Sequence, residues 1–226
     1  MIVVNVVYTA ITGQYDVLKP HPPVRGVRFV AFLDDCRRQE VEGWEVRPLL
    51  PCSDDPVRCA KRYKVMAHDV LPGVDYSLWV DGSIRIRDGF DWDAAVGGYL
   101  ASHDLALFRH YCRGCIYVEA EVCSRRGLDD GETIARQVRR YEAEGYPRDH
   151  GLVEAGVILR RHTLVARGVN VAWWREICSG SRRDQLSFDY VLWKLGVGYR
   201  EFPGSMVGNA LFENLPHHQA RRSPVP

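Results

Sequence analysis

The 226-residue sequence has no apolar run approaching the roughly 20 residues that a membrane span requires. Its first segment, Met1 to Val7, is apolar but has no charged lead and is interrupted by Asn5, so it does not read as a secretory leader. Net charge is scarce as well. A formal charge of +1 and a pI near 7.6 give no global field that would draw nucleic acid or an anionic membrane. The arginine pairs at Arg37-Arg38, Arg139-Arg140, Arg160-Arg161, Arg182-Arg183 and Arg221-Arg222 read mostly as solvated surface. There is no internal repeat and no G-x-S-x-G elbow. The seven cysteines are odd in number and scattered, which is not a disulfide framework. With no leader, they imply mostly free thiols in a reducing, cytoplasmic setting. Cys112-Arg-Gly-Cys115 has no second CxxC partner, so a zinc or redox reading of it is weak.

What is present is ordinary globular composition, 46% hydrophobic and 26% charged. The length suits one large α/β domain rather than two. Strands are predicted over 2–8, 27–33, 44–50, 76–80, 84–86, 105–108 and 153–159, from β-branched and apolar runs closed by turn residues. A helix is predicted from Asp54-Asp55-Pro56 to about Val70, opened by an acidic cap and a proline in the first turn. Further helices are expected over 133–144, 164–177 and 185–195, the first and last stopped by Gly145 and Gly196. The alternation predicts a mainly parallel central sheet flanked by helices. A domain over 1–215 is expected to be followed by a tail over 216–226.

In order along the chain stand Tyr8-Thr9-Ala10-Ile11-Thr12-Gly13-Gln14-Tyr15-Asp16, Arg58-Cys59-Ala60-Lys61-Arg62-Tyr63-Lys64, Trp79-Val80-Asp81-Gly82-Ser83, His110-Tyr111-Cys112-Arg113, Glu154-Ala155-Gly156-Val157 and Arg183-Asp184-Gln185-Leu186-Ser187-Phe188. Together they resemble domain-of-unknown-function family 616, whose plant members carry ceramidase-like names or are linked to mucilage polysaccharide synthesis. The resemblance covers about Tyr8 to Phe188 and implies a single GT-A-like, Rossmann-like glycosyltransferase domain. It implies transfer of a sugar from a nucleotide-diphosphate sugar to a hydroxyl of a polysaccharide or other glycoconjugate, assisted by Mn²⁺ or Mg²⁺.

The chemistry behind that expectation is charge. A departing diphosphate gathers negative charge, which a divalent metal or Lys and Arg offset. Asp81 ends an apolar strand and is the expected metal ligand, although the same Asp-Gly-Ser stretch also reads as a plain turn. The GT-A pattern has a second carboxylate where this chain has Ser83, so His217 and His218 are expected as further ligands; solvated tail histidines are the simpler reading of each. The alternative is metal-independent, with Arg58, Lys61 or Lys64 meeting the diphosphate. Thr9, Ala10, Asp16 and Asp34 are expected around the base and ribose. Asp184 and Glu154 are the candidate base or acceptor-binding carboxylates, with His110 and Arg113 beside them. Asp184 is equally explained as a helix cap. A sugar- or nucleotide-binding module without catalysis, a lipid-amide hydrolase, and a transferase acting on modified bases in nucleic acid compete with this reading. The near-zero net charge does not favour the last.

Overall fold

The computed structural model describes residues 3–13, 15–34 and 41–217. The chain is α/β, with a mostly parallel seven-stranded sheet flanked by helices. In chain order the sheet strands are β1 (Asn5–Ile11), β2 (Val27–Leu33), β3 (Trp44–Pro48), β4 (Tyr76–Val80), β6 (Leu105–Arg109), β7 (Val153–Arg161) and β8 (Arg200–Glu201). They lie in the order β3-β2-β1-β4-β7-β6-β8. Only β7 runs antiparallel to its neighbours, β4 and β6. A separate two-stranded ribbon pairs β5 (Ile84–Ile86) with β9 (Phe212–Asn214). The arrangement is compatible with a Rossmann-like fold.

The central strands are buried on both faces, so their side chains alternate between two cores. On β1, Val6 and Tyr8 join one hydrophobic cluster and Val7 the other; on β4, Trp79 joins the first, Leu78 and Val80 the second. The helices are α1 (Pro56–Val65), α2 (Ala67–Val70), α3 (Trp92–Tyr99), α4 (Ile116–Arg125), α5 (Gly131–Ala143), α6 (Leu164–Ser179) and α7 (Gln185–Leu195). The Asp55 carboxylate caps α1 by accepting from the Val57 N–H at 2.9 Å, with Pro56 in the first turn. Gly196 closes α7 at φ 63°, a left-handed conformation that costs glycine nothing.

Several expectations are corrected. β1 runs on through Thr9 and Ala10 to Ile11, so those two residues belong to the strand and not to the loop. The long predicted helix is interrupted at Met66, whose backbone (φ −89°, ψ 46°) leaves the helical region. α3 and α4 were not predicted. Gly97 and Gly98 dilute the first, and Ile116, Val118 and Val122 weaken the helical signal of the second. α4 is held by packing instead: Ala120 and Cys123 are buried with Ile134 of α5 and Leu186 of α7. No helix among the described residues is long and apolar enough to cross a membrane.

Candidate active site

The carboxyl ends of the parallel strands and the N-terminal end of β7 share one edge of the sheet, where ligands bind in open α/β folds. A cleft of about 510 Å³ opens there, lined by residues 10–13 at the end of β1, Asp81 and Gly82 after β4, the first turns of α1, Arg182, Arg183 and His217. Its lining cations are Lys61, Lys64, Arg182 and Arg183, against the carboxylates Asp16 and Asp81. The lining cations outnumber the lining carboxylates, although Lys61 and Lys64 also pair with Asp184 and Arg182 with Asp55 and Asp129. The N-terminus of α1, at Pro56 and Val57, faces the same space and adds the positive end of its dipole.

Asp81 occupies the expected position. It opens a turn, its carbonyl accepting from the Ile84 N–H at 2.8 Å, so the plain turn reading holds, and its side chain lines the cleft. Its own N–H donates to the Gly156 carbonyl at 2.8 Å. Oδ1 accepts from the Trp79 indole at 2.7 Å and from the Lys64 ammonium at 3.3 Å. Oδ2 has no hydrogen-bond partner among the described residues, and the side chain is 39% exposed, so this oxygen is open to a ligand. The pairing of β6 with β7 jumps from Leu107↔Ile158 to Phe108↔Glu154, which leaves residues 155–157 of β7 bulged at the site. A Cβ on Gly156 would lie 3.3 Å from Asp81 Oδ2 and 2.6 Å from Met206 Cε, so the missing side chain is what lets these groups converge.

Beneath the cleft, Lys64 bridges two carboxylates. Its ammonium lies 2.7 Å from Asp184 Oδ2, which also receives Lys61 at 2.9 Å. Burial alone would push the Asp184 carboxyl up; the two ammonium groups overrule it and hold the group well below the usual carboxylate range. Burial likewise opposes the charge of Lys64, and Asp184 and Asp81 overrule it and raise that group. Lys61 is held below its usual range by burial and by Lys64, despite Asp184.

This geometry reassigns several candidates. Asp184 is 2% exposed and lies outside the cleft lining; a carboxylate held ionised by two lysines is a weak proton acceptor, and its place is that of their anchor. Arg58 turns away from the cleft, donating to the carbonyls of Ile177 and Gly180 at the end of α6, where a cation meets the negative end of the helix. Thr9 is buried in β1, its hydroxyl without a partner among the described residues, while Ala10 does reach the cleft. Asp16 lines the cleft but is engaged by Lys19 and the Val17 N–H on Oδ1 and by His217 Nδ1 at 2.7 Å on Oδ2. Asp34 accepts from the Gly13 N–H and so pins the first loop without lining the cleft. Ser83 is buried, its carbonyl accepting from the Leu215 N–H. His218 lies outside the described residues.

Among the described residues the expected donors do not gather as a metal site, and no three His, Cys, Asp or Glu side chains come together as ligands. Asp81 Oδ1 already faces an ammonium, Ser83 is covered, and His217 Nδ1 is spent on Asp16. Trp79, Arg182 and Arg183 line the cleft and Gly156 packs beside Asp81, and the sequence reading gave none of the four a role. A glycine inside an apolar strand is the signal that would have found Gly156, whereas arginine pairs carry no signal until the fold aims one of them.

His110, Arg113 and Glu154 form a second cluster. His110 Nδ1 accepts from the backbone N–H groups of Cys112 (3.3 Å) and Arg113 (3.1 Å). Burial, then the nearby Arg113, lowers its affinity for a proton. Arg113 is ion-paired with Glu119 of α4 and lines neither cavity described here. Glu154 Oε1 lies 3.9 Å from His110 Nε2, and its Oε2 accepts from the Met206 N–H at 3.3 Å.

Comparison with known proteins decides the family. The TOD1/MUCI70 glycosyltransferase-like domain matches residues 3–220. The chain belongs to this family. It is also 32% identical over 163 residues to the probable hexosyltransferase MUCI70 of Arabidopsis thaliana. That alignment covers 66% of this chain but 27% of the relative, so the chain spans about a quarter of that protein's length. These matches support the glycosyltransferase-like part of the resemblance; they carry neither the family number nor the GT-A type.

Proposed function

We propose that the chain is a GT-A-type transferase that moves a hexosyl group from a nucleoside-diphosphate sugar to a hydroxyl acceptor, with the diphosphate lying on Lys61, Lys64, Arg182 and Arg183. The observation that carries the reading is Lys64, buried yet shared between Asp81 and Asp184 under a cleft whose lining cations outnumber its lining carboxylates. Fixed cations of this kind cost no reorganisation when charge develops on the leaving oxygen. Trp79 and Lys64 hold Asp81 Oδ1, which leaves Oδ2 to accept from a hydroxyl of the donor. Membership of the TOD1/MUCI70 family and similarity to a probable hexosyltransferase support the same conclusion. No step is routed through a metal, because the expected donors do not gather as a metal site among the described residues.

The test is titration with the four nucleoside diphosphates, without and with Mn²⁺, followed by turnover of their sugar conjugates. Binding without added cation is expected. Asp81→Ala is expected to stay folded and to lose donor turnover by about 100-fold or more. A folded Asp81→Ala protein with unchanged turnover rejects the reading. Tight binding of the conjugates with no transfer and no hydrolysis marks a binding module instead.

A further inference from the structure

A second cavity, about 830 Å³, lies on the same sheet edge beyond β7, over the ends of β6 and β8. Its lining differs in kind from that of the first. Tyr99, Tyr111 and Tyr199 present rings to it, and Arg109, His110, Arg200 and Glu201 present polar edges. Tyr111 is 63% exposed and stacks on His110, with ring centroids 5.2 Å apart and 14° between planes. Tyr99 is braced edge-on by Phe202 at 4.7 Å. Arg109 faces Glu201 at 3.9 Å, which leaves Arg200 as the cavity's remaining lining arginine.

One exposed ring, Tyr111, and two half-buried ones, Tyr99 and Tyr199, between hydrogen-bonding groups suit a ligand with apolar ring faces and hydroxyl rims. Sugars have that character. A lipid tail needs a more continuous apolar wall, and a nucleic acid needs more net cation. The volume exceeds that of the donor cleft and suits several linked rings rather than one.

Glu154 lines neither cavity but links residues that border them. Its side chain is 15% exposed, it faces His110 on one side, and the Met206 N–H holds its other oxygen. Met206 in turn packs at Gly156, against which Asp81 Oδ2 also lies. Glu154 therefore stands between the cavity over β6 and the open oxygen of Asp81.

Resting on the donor reading above, we propose that the second cavity is the acceptor site, that it takes a carbohydrate chain, and that Glu154 accepts the proton of the attacking hydroxyl. The acceptor oxygen bonds the anomeric carbon as its proton passes to the Glu154 carboxylate. The bond from that carbon to the diphosphate oxygen breaks, and its electron pair leaves on the diphosphate. Burial, the first influence on Glu154, pushes its carboxyl up, which suits a proton acceptor.

The experiment offers the wild-type protein, with the sugar conjugate of whichever nucleoside diphosphate it binds, a panel of linear oligosaccharides, neutral and uronic, from disaccharide to hexasaccharide. A hydroxylated peptide and a single-stranded oligonucleotide are included, and products are read by mass. Transfer to an oligosaccharide is expected, with acceptor KM falling as the chain lengthens. Tyr111→Ala and Tyr199→Ala are each expected to raise acceptor KM about tenfold. Glu154→Gln is expected to lower kcat about 100-fold at unchanged acceptor KM and to remove the acidic limb of the pH profile. Transfer only to the peptide or the oligonucleotide, donor hydrolysis with no oligosaccharide transfer, or wild-type kinetics in all three variants overturns the acceptor assignment alone. Absence of any nucleoside diphosphate binding overturns the donor reading instead.

Discussion

Two buried carboxyl groups five positions apart in the chain, Asp184 at the cap of α7 and Asp189 within that helix, stand in opposite electrostatic settings. Asp184 lies under the cleft between β1 and β4 with two ammonium groups within 2.9 Å, and it stays ionised although 2% exposed. Asp189 lies under the Val153 end of β7, accepts a backbone N–H at 3.1 Å, and has no ion-pair partner among the described residues. Burial pushes it up to about 7. The cleft beside β1 and β4 rests on fixed charge, assembled before any ligand arrives. The cavity over β6 and β8 combines tyrosine rings with two arginines and one glutamate. The difference teaches that one fold sets its buried carboxyl groups in opposite ways, and the bulge at residues 155–157 lies between the two regions.

The comparison breaks first, if at all, at Asp184. Asp184→Ala strands two ammonium groups in a nearly dry site and is expected to cost about 3–5 kcal/mol of stability. Chemical denaturation at pH 7 reads this, and a loss under about 1 kcal/mol would mean that the charges are hydrated rather than paired.

Asp189 should show the reverse. A carboxyl whose folded value is raised favours the folded state below its unfolded value of 3.8 and withdraws that support as pH climbs to about 7. Asp189→Asn keeps an acceptor for the Val153 N–H and cannot ionise. It should therefore gain on the wild type between pH 4 and 7, by up to about 4 kcal/mol, and hold that margin above pH 7. Parallel denaturation curves across that window check the sign, and a variant equally less stable at every pH would refute it.

Gly156→Ala sharpens the boundary between the two regions. The added methyl meets the flexible end of Met206 and the open oxygen of Asp81. A stability loss of about 1–2 kcal/mol is expected, with weaker nucleoside diphosphate binding. Full retention of affinity would mean that Met206 alone yields. The smallest effect on stability belongs to Tyr111→Ala: an exposed ring should cost less than about 0.5 kcal/mol, so its effect on acceptor KM is separable from folding by a melting curve.

Much of the scaffold was legible along the chain. Residues 27–33, 76–80, 84–86 and 185–195 form their elements at the predicted bounds, because apolar runs, caps and stop signals act locally. Asp81 was legible for the same reason, as a carboxylate where an apolar strand stops. The antiparallel direction of β7, the bulge beside it and the reach of Arg182 and Arg183 into the cleft were not. Arg58 and Lys61 look alike in the sequence, three residues apart on one helix. One caps α6 and the other lines the cleft, and only their neighbours across the fold separate them.

By itself the sequence determined most of the strands, the well-capped helices and where a carboxylate would end a strand, since those outcomes depend on period, propensity and capping within a few residues. Tertiary structure alone decided which charges meet. Lys64, Asp81 and Asp184 are separated by as many as 120 positions in the chain, and electrostatic partnership depends on distance through space and on how little water remains between the groups.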